Sequence, residues 1–377
     1  LKKRTKKLLI IQWDRLPAWV AAAILLAGAL AAFAIRSVHG IHFLTFGDES
    51  GHFLGARAIQ AGDRLYRDFI DAHGPLVFMV AHAFGTVFGW QEPLDARWAM
   101  AGLATLAGAA VATSSALRGA APRLWAAALY FGLLAATWLV QSLNMVNYHL
   151  LGGVCATMTL AWLVVPAWTG DPVARYRAFI SGLCLALLCA SAYSLAPSAL
   201  LLAGSAAISL RFGCVRPHPA TVLVFCGLGF LAGGAIVLLW LLRFGDPGGY
   251  LVFHIIDNQV NYARYTPFGW QVMLRSLIPS FAPQALIQCM ALVLGATAFF
   301  LLLLAQSPGW ARRPRLRVVA LGSMLLAVVM LNPRGAEGFQ NGSFVVASTT
   351  IFSVGLAMRL AAQGPCLAPR LGPAPGW

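Results

Sequence analysis

Apolar runs close to the roughly 20 residues a helix needs to cross a bilayer recur along this 377-residue chain. They are Pro17–Ile35, Trp98–Leu117, Leu124–Val140, His149–Trp168, Thr221–Leu242, Gln284–Ala305 and Phe344–Leu360, with shorter ones at Ala178–Tyr193, Ser198–Leu210 and Val318–Leu331. With 59% hydrophobic and 10% charged residues, an ordinary soluble globule is excluded. The expected fold class is an all-α polytopic membrane protein of about ten or eleven spans. Residues 1–377 are read as a single membrane domain, with no soluble domain after the last span.

Charge sets the expected orientation. The first run is too long, and too poor in cleavage-site features, for a removable signal peptide, so it reads as a retained signal-anchor. All four lysines fall in the preceding Lys2, Lys3, Lys6 and Lys7 cluster, which places the N-terminus on the cytoplasmic side. Four basic connections, at Arg118/Arg123, Arg175/Arg177, Arg211/Arg216 and Arg312–Arg317, then alternate with polar or aromatic ones. The alternation holds only if Pro75–Gly89, about 15 residues and short for a span, stays half-inserted or juxtamembrane. Two large loops, 36–75 and 243–283, then share the non-cytoplasmic side. The net charge of +15 fits anionic headgroups at loop edges rather than nucleic acid. The seven cysteines form no CxxC pair, which argues against a disulfide framework or a cysteine zinc site.

Loop 36–75 breaks the pattern. It holds five of the twelve acids and four of the eight histidines. Asp48 and Glu49 open an amphipathic helical pattern in which Phe53, Leu54, Ala58 and Ile59 recur at helical spacing. Acids in a first turn suit the helix dipole, yet an acid beside a membrane is costly unless used. Asp48 is therefore a candidate base for an incoming hydroxyl or a ligand for a divalent cation. Glu49 is either a supporting carboxylate or a solvated one. His52, one turn after Asp48, is a candidate metal ligand, loosely grouped with His39 and His42. Gly62 ends the helix and Pro75 begins the next. Between them lie Asp63, Arg64, Tyr66, Arg67, Asp68, Asp71 and His73, a denser polar set than a connector requires.

The Asp48-Glu49 pair, the Gly62/Tyr66/Asp68 spacing and the His73-Gly74-Pro75-Leu76 element together resemble the GT-C membrane glycosyltransferases. The branch is that of the protein O-mannosyltransferases and lipid A aminoarabinose transferases, glycosyltransferase family 39 and its relatives. The resemblance is sharp over about Phe46 to Gly89 and implies a GT-C-like bundle with juxtamembrane helices in the first outer loop. It also implies a polyprenyl-phosphate-linked sugar donor, transfer outside the cytoplasm and Asp48 as the catalytic acid of that loop. Many relatives carry a second acid just before the Pro-Leu element. Here His73 and Gly74 stand in its place, which leaves Asp71 or His73 as its replacement.

In the second loop Tyr250, Phe253, Tyr262, Tyr265, Phe268 and Trp270 suit the headgroup belt. Arg264 among them could grip a phosphate at two points and resembles a basic residue of the corresponding family loop. The expected donor-phosphate set is Arg264, Arg334 and Tyr262; the catalytic set is Asp48, Glu49, Asp71 and His73, with Asp48 and His52 as candidate ligands of Mg²⁺ or Mn²⁺. The function implied is transfer from the lipid carrier to a hydroxyl on a glycan, lipid or protein, at a bacterial inner membrane with the site facing the periplasm. Membrane lipids are expected partners and nucleic acid is not. A polysaccharide polymerase or ligase, a lipid-linked sugar flippase or transporter, and a non-catalytic subunit of the same fold are the alternatives.

Overall fold

The computed structural model describes residues 17–42, 47–90, 93–138, 144–169, 171–212 and 218–262. Its principal helices are α1 (Ala18–Ile41), α2 (Gly47–Ala61), α3 (Pro75–Phe88), α4 (Ala96–Ala112), α5 (Ala120–Thr137), α6 (Tyr148–Thr159), α7 (Val165–Thr169), α8 (Arg175–Ser191), α9 (Ala196–Phe212) and α10 (Pro219–Phe244). A π-helical turn, Leu160–Val164, joins α6 to α7 without a break, and a second π-helical segment, Tyr250–Tyr262, follows α10. Among the described residues there is no strand, and two isolated bridges link Leu65 to Phe69 and to Gly245.

Seven helical segments pass between the two ends of one bundle: α1, α4, α5, α6 through α7, α8, α9 and α10. Each matches an apolar run of the sequence to within a few residues. The expected spans at 284–305, 318–331 and 344–360 lie outside the described residues. Three of the helices, Trp19–Ile41, Tyr148–Ala167 and Pro219–Phe244, are long and apolar enough to cross a membrane. The middle one is 89% buried and the outer two only 17% and 22%, so α6 through α7 forms the axis while α1 and α10 turn leucines and isoleucines to lipid. The chain is an integral membrane protein.

Helix contact is made by small residues, because lipid gives apolar side chains no reason to leave it and close backbone approach becomes the attraction. A Cβ on Gly182 would lie 1.9 Å from the Cys226 carbonyl oxygen, and one on Gly229 would lie 1.8 Å from that of Phe179. Thus α8 and α10 touch backbone to backbone. On the other side Phe33 of α1 sits 5.6 Å from Phe131 and 4.9 Å from Trp138, ring centre to ring centre.

The two ends of the bundle differ in chemistry. Arg118, Arg123, Arg175 and Arg177 gather at one end, where Arg118 pairs with the buried Asp171. The opposite end carries α2, α3 and the 62–74 loop. The α3 helix does not pass to the other end. Its start is held by the Gly74 N–H on the Ser191 carbonyl, 3.2 Å. Beyond its far end Trp90 donates to Gln60 of α2 and packs over Gly85.

Valine at Gly229 should force α8 and α10 apart and destabilise the protein by about 1–3 kcal/mol, the usual cost of overpacking. Alanine at Gly227, where a Cβ meets nothing within 4 Å, should be neutral. Thermal unfolding of the two variants in detergent checks both.

Candidate functional site

The α2 helix is anchored on one face. Phe53, Ala56 and Ile59 are buried, and at Gly55 the absent side chain lets the Phe78 ring of α3 come within 2.6 Å of a Cβ position. That anchoring fixes the first turn, where Asp48 and Glu49 meet opposite fates. Asp48 is exposed. Glu49 is fully buried in an ion pair with Arg97.

Every oxygen of Glu49 is occupied. Oε1 accepts from Arg97 Nε at 3.0 Å and from the Val146 N–H at 3.1 Å, and Oε2 accepts from Arg97 Nη2. Arg97 Nη1 donates in addition to the carbonyls of Gly40, 2.7 Å, and Ile41, 3.0 Å. The pair thus ties the end of α1, the start of α2, the start of α4 and the 144–147 segment at one point. Asn144 strengthens the knot by donating to the same Gly40 carbonyl, 2.7 Å. Of the two readings of Glu49, the solvated one does not match its burial; both oxygens accept hydrogen bonds from Arg97, as a supporting carboxylate would.

The backbone of Val146 carries this order one step further. Its N–H is held by Glu49 and its carbonyl faces His52 Nδ1 at 2.9 Å. A carbonyl only accepts, so His52 carries its proton on Nδ1 and presents a lone pair on Nε2. Burial, then the neighbouring His73, push His52 down to about 4 against the opposing pull of the Val146 carbonyl and the Asp71 and Asp48 carboxylates. The ring is neutral at physiological pH. Its Nε2 is buried with no protein partner.

What Nε2 faces comes from the 62–74 loop. Gly62, at φ +112°, ends α2 as expected of a left-handed cap. The chain then docks on the end of α10: the Leu65 N–H donates to Phe244, 3.1 Å, and the Asp246 N–H to Leu65, 2.9 Å. Tyr66 sits in left-handed backbone at φ +67°, a costly conformation for a large side chain. It is held there by its N–H on the Phe69 carbonyl, 2.8 Å, and its hydroxyl on the His73 carbonyl, 2.5 Å. Burial raises the Tyr66 hydroxyl well above its ordinary value, so it stays a donor. The π-helical segment clamps the same loop, with His254 Nδ1 at 2.9 Å and Asn258 Nδ2 at 3.0 Å from the Ala72 carbonyl.

The loop delivers Asp71 and His73 against His52. Asp71 Oδ1 accepts from both the His73 backbone N–H and its Nδ1, each at 2.7 Å. Burial works to raise Asp71, but these bonds and the His73 charge outweigh it, so its net position is lowered. The His52 and His73 rings meet edge to face at 4.8 Å, and Tyr148 lies 5.0 Å from His73. One donor atom from each of His52, Asp71 and His73 falls within 4.8 Å of the others. Two imidazoles and a carboxylate, one imidazole with an unpartnered lone pair, suit a borderline cation such as Zn²⁺ better than Mg²⁺ or Mn²⁺. The carbonyl on His52 Nδ1 is an outer-shell partner of the kind metal-binding histidines use.

The structure therefore joins His52, Asp71 and His73, with Asp48 one helical turn from His52 on the exposed side. His39 and His42 are exposed and stand outside the group. Tyr262 closes the π-helical segment with its side chain outside the described residues, as are Arg264 and Arg334. Sequence reasoning missed Arg97, Asn144, Val146, His254 and Asn258. For Arg97 the available signal was a lone charge entering an apolar run; for Val146 there was none, since its role is played by backbone.

Two solved structures share this architecture. One is ArnT from Cupriavidus metallidurans bound to undecaprenyl phosphate, at TM-score 0.56 and 18% identity over 92% of this chain and 62% of that one. The other is the Archaeoglobus fulgidus oligosaccharyltransferase in complex with Zn and sulfate, at TM-score 0.52 and 15% identity over 93% of this chain and 52% of that one. The chain has the GT-C fold. No family model and no curated protein sequence matches it, and it spans 62% and 52% of the length of those two chains, less than two thirds of either. In this GT-C bundle the acid-bearing helix and the histidine-bearing loop lie at one end, opposite the arginine-rich connections.

Removing one partner of the Glu49–Arg97 pair strands a buried charge. Arg97→Met should cost about 3–5 kcal/mol, and Glu49→Gln/Arg97→Met together should recover part of that loss. Thermal unfolding of the three proteins checks the sign.

Proposed function

We propose that this protein is an integral membrane glycosyltransferase that moves a sugar from a polyprenyl-phosphate-linked donor to a hydroxyl acceptor. The reading places the reaction at the bundle end bearing α2, on the non-cytoplasmic side of a bacterial inner membrane. The observation that carries it is the exposed Asp48 beside the buried His52 and the half-buried Asp71 and His73, at one end of a GT-C fold. The arginine-rich opposite end is the side that basic residues hold in the cytoplasm. The solved structure of ArnT holds undecaprenyl phosphate, which supports a lipid phosphate as the leaving group.

The chemistry asks little of the protein. A lipid phosphate leaves as a stable anion, so no general acid is needed. Asp48 accepts the proton of the acceptor hydroxyl as its oxygen attacks the anomeric carbon, and the carbon–phosphate-oxygen bond breaks with its electron pair going to phosphate. One displacement inverts the anomeric configuration. His52, Asp71 and His73 would hold a divalent cation, which when bound supplies positive charge opposite the phosphate. The oligosaccharyltransferase of A. fulgidus was crystallised with Zn, in keeping with that donor set. Tyr148, against the His73 ring, orients that imidazole. Arg264, Arg334 and Tyr262 remain the proposed contacts to the donor phosphate.

Asp48→Asn should abolish transfer while leaving donor binding and membrane insertion largely intact. Transfer assayed with a polyprenyl-phosphate sugar, alongside carrier binding, tests this; near wild-type turnover would remove Asp48 from its role. Separately, His52→Ala and His73→Ala should each lower bound zinc in the purified protein, about 10-fold or more in affinity as for loss of a metal-site group. Elemental analysis and zinc titration read this without reference to turnover.

A further inference from the structure

At the far end of α2 from His52, a cavity of ≈ 570 Å³ opens between α2, α3 and the end of α10. Its polar lining is Gln60, Asp63, Arg64, His82, Thr86 and Arg243. It shares no residue with the His52 group. Eight residues of helix separate His52 from Gln60, about 12 Å at 1.5 Å per residue.

The charges here are unbalanced. Asp68, the next acid along the loop, is taken by Arg67 at 2.9 Å. That leaves Arg64 and Arg243 facing Asp63, a lining charge of +1 with His82 neutral. Arg64 is fixed by one bond from Nη2 to the Leu242 carbonyl, 2.8 Å, which caps the end of α10. Its Nε is buried without a partner. Arg243 is exposed and lies over the Phe244 ring at 5.0 Å. Two guanidiniums with spare donors in one cavity form a site for a phosphate group.

The surroundings choose the kind of phosphate. Leu239 and Leu242 on α10 are 65% and 54% exposed, and Val87 and Phe88 at the end of α3 are 70% and 73% exposed. Leu242 lines the cavity, Val87 and Phe88 directly follow its lining residue Thr86, and the exposed apolar face continues along α10 through Leu239, Leu238 and Ile236. A free phosphate uses none of that strip. A diacyl lipid uses all of it, with its singly charged phosphodiester matching the +1 lining.

We propose that this cavity binds the headgroup of an anionic phospholipid, its acyl chains lying along the exposed face of α10. The bound lipid braces the 62–74 loop from behind, because Arg64 belongs both to that loop and to the cap of α10.

The test uses the full chain in nanodiscs of phosphatidylcholine containing phosphatidylglycerol, with retained lipid counted by native mass spectrometry after release. Wild type should retain phosphatidylglycerol over phosphatidylcholine. Arg64→Gln and Arg243→Gln should each weaken that retention about fivefold, the effect of one basic residue at an anionic surface. Should loss of the α10 cap unfold the Arg64 variant, Arg243→Gln alone carries the reading. Equal retention by wild type and Arg243→Gln overturns the proposal. Displacement of the lipid by millimolar inorganic phosphate would make this a free-phosphate site, and displacement by polyprenyl phosphate would make it a carrier site; either result overturns it. Because Arg243 lies outside the proposed catalytic machinery, transfer activity in detergent should be unchanged in that variant, which separates this site from the transferase reading.

Discussion

One buried ion pair organises the end of the bundle where chemistry is proposed. Glu49 and Arg97 have almost no exposed surface, and a charged pair taken from water that far survives only when its remaining donors and lone pairs are also used. Here they are, by the Gly40 and Ile41 carbonyls and the Val146 N–H. The carbonyls that Arg97 satisfies belong to Gly40 and Ile41 in the last turn of α1, where they have no further helical partner and burial keeps water away. The ion pair and the helix end solve each other's solvation problem, and α2 is placed as a consequence.

From that fixed point order passes through backbone. Glu49 holds the Val146 N–H, and the carbonyl of the same residue selects the tautomer of His52. A second route arrives from α10, whose end pairs with Leu65 and whose π-helical continuation grips the Ala72 carbonyl. The 62–74 loop is therefore held at both ends while Tyr66 is kept in left-handed backbone between them. Strain of this kind persists only where surroundings over-determine it. The outcome is a set of donor atoms held on rigid supports.

Much of the fold was legible beforehand, and for a specific reason. Every span in the described region begins and ends within a few residues of an apolar run, because in lipid the backbone has no alternative to the helix. Gly62 as a cap and Pro75 as a first helical residue were equally plain, since φ > 0 and a missing N–H are local properties. The shortness of Pro75–Gly89 correctly marked α3 as a segment that does not pass between the bundle ends. The site was less legible. Asp48 and Glu49 are adjacent acids with the same local signal, and which of them faces water depends on Arg97, 48 residues later.

The sequence alone determined the helical, membrane-embedded class, the turn that ends α2 and the concentration of ionisable groups in the first long loop. Each follows from the hydropathy or backbone preference of residues close in the chain. Only tertiary structure decided that Glu49 is a structural support, that His52 offers Nε2, and that Asp71 and His73 meet it. The first two turn on Arg97 and Val146, 48 and 94 residues away, and the third on where a loop docks; none of these is a local property of the sequence.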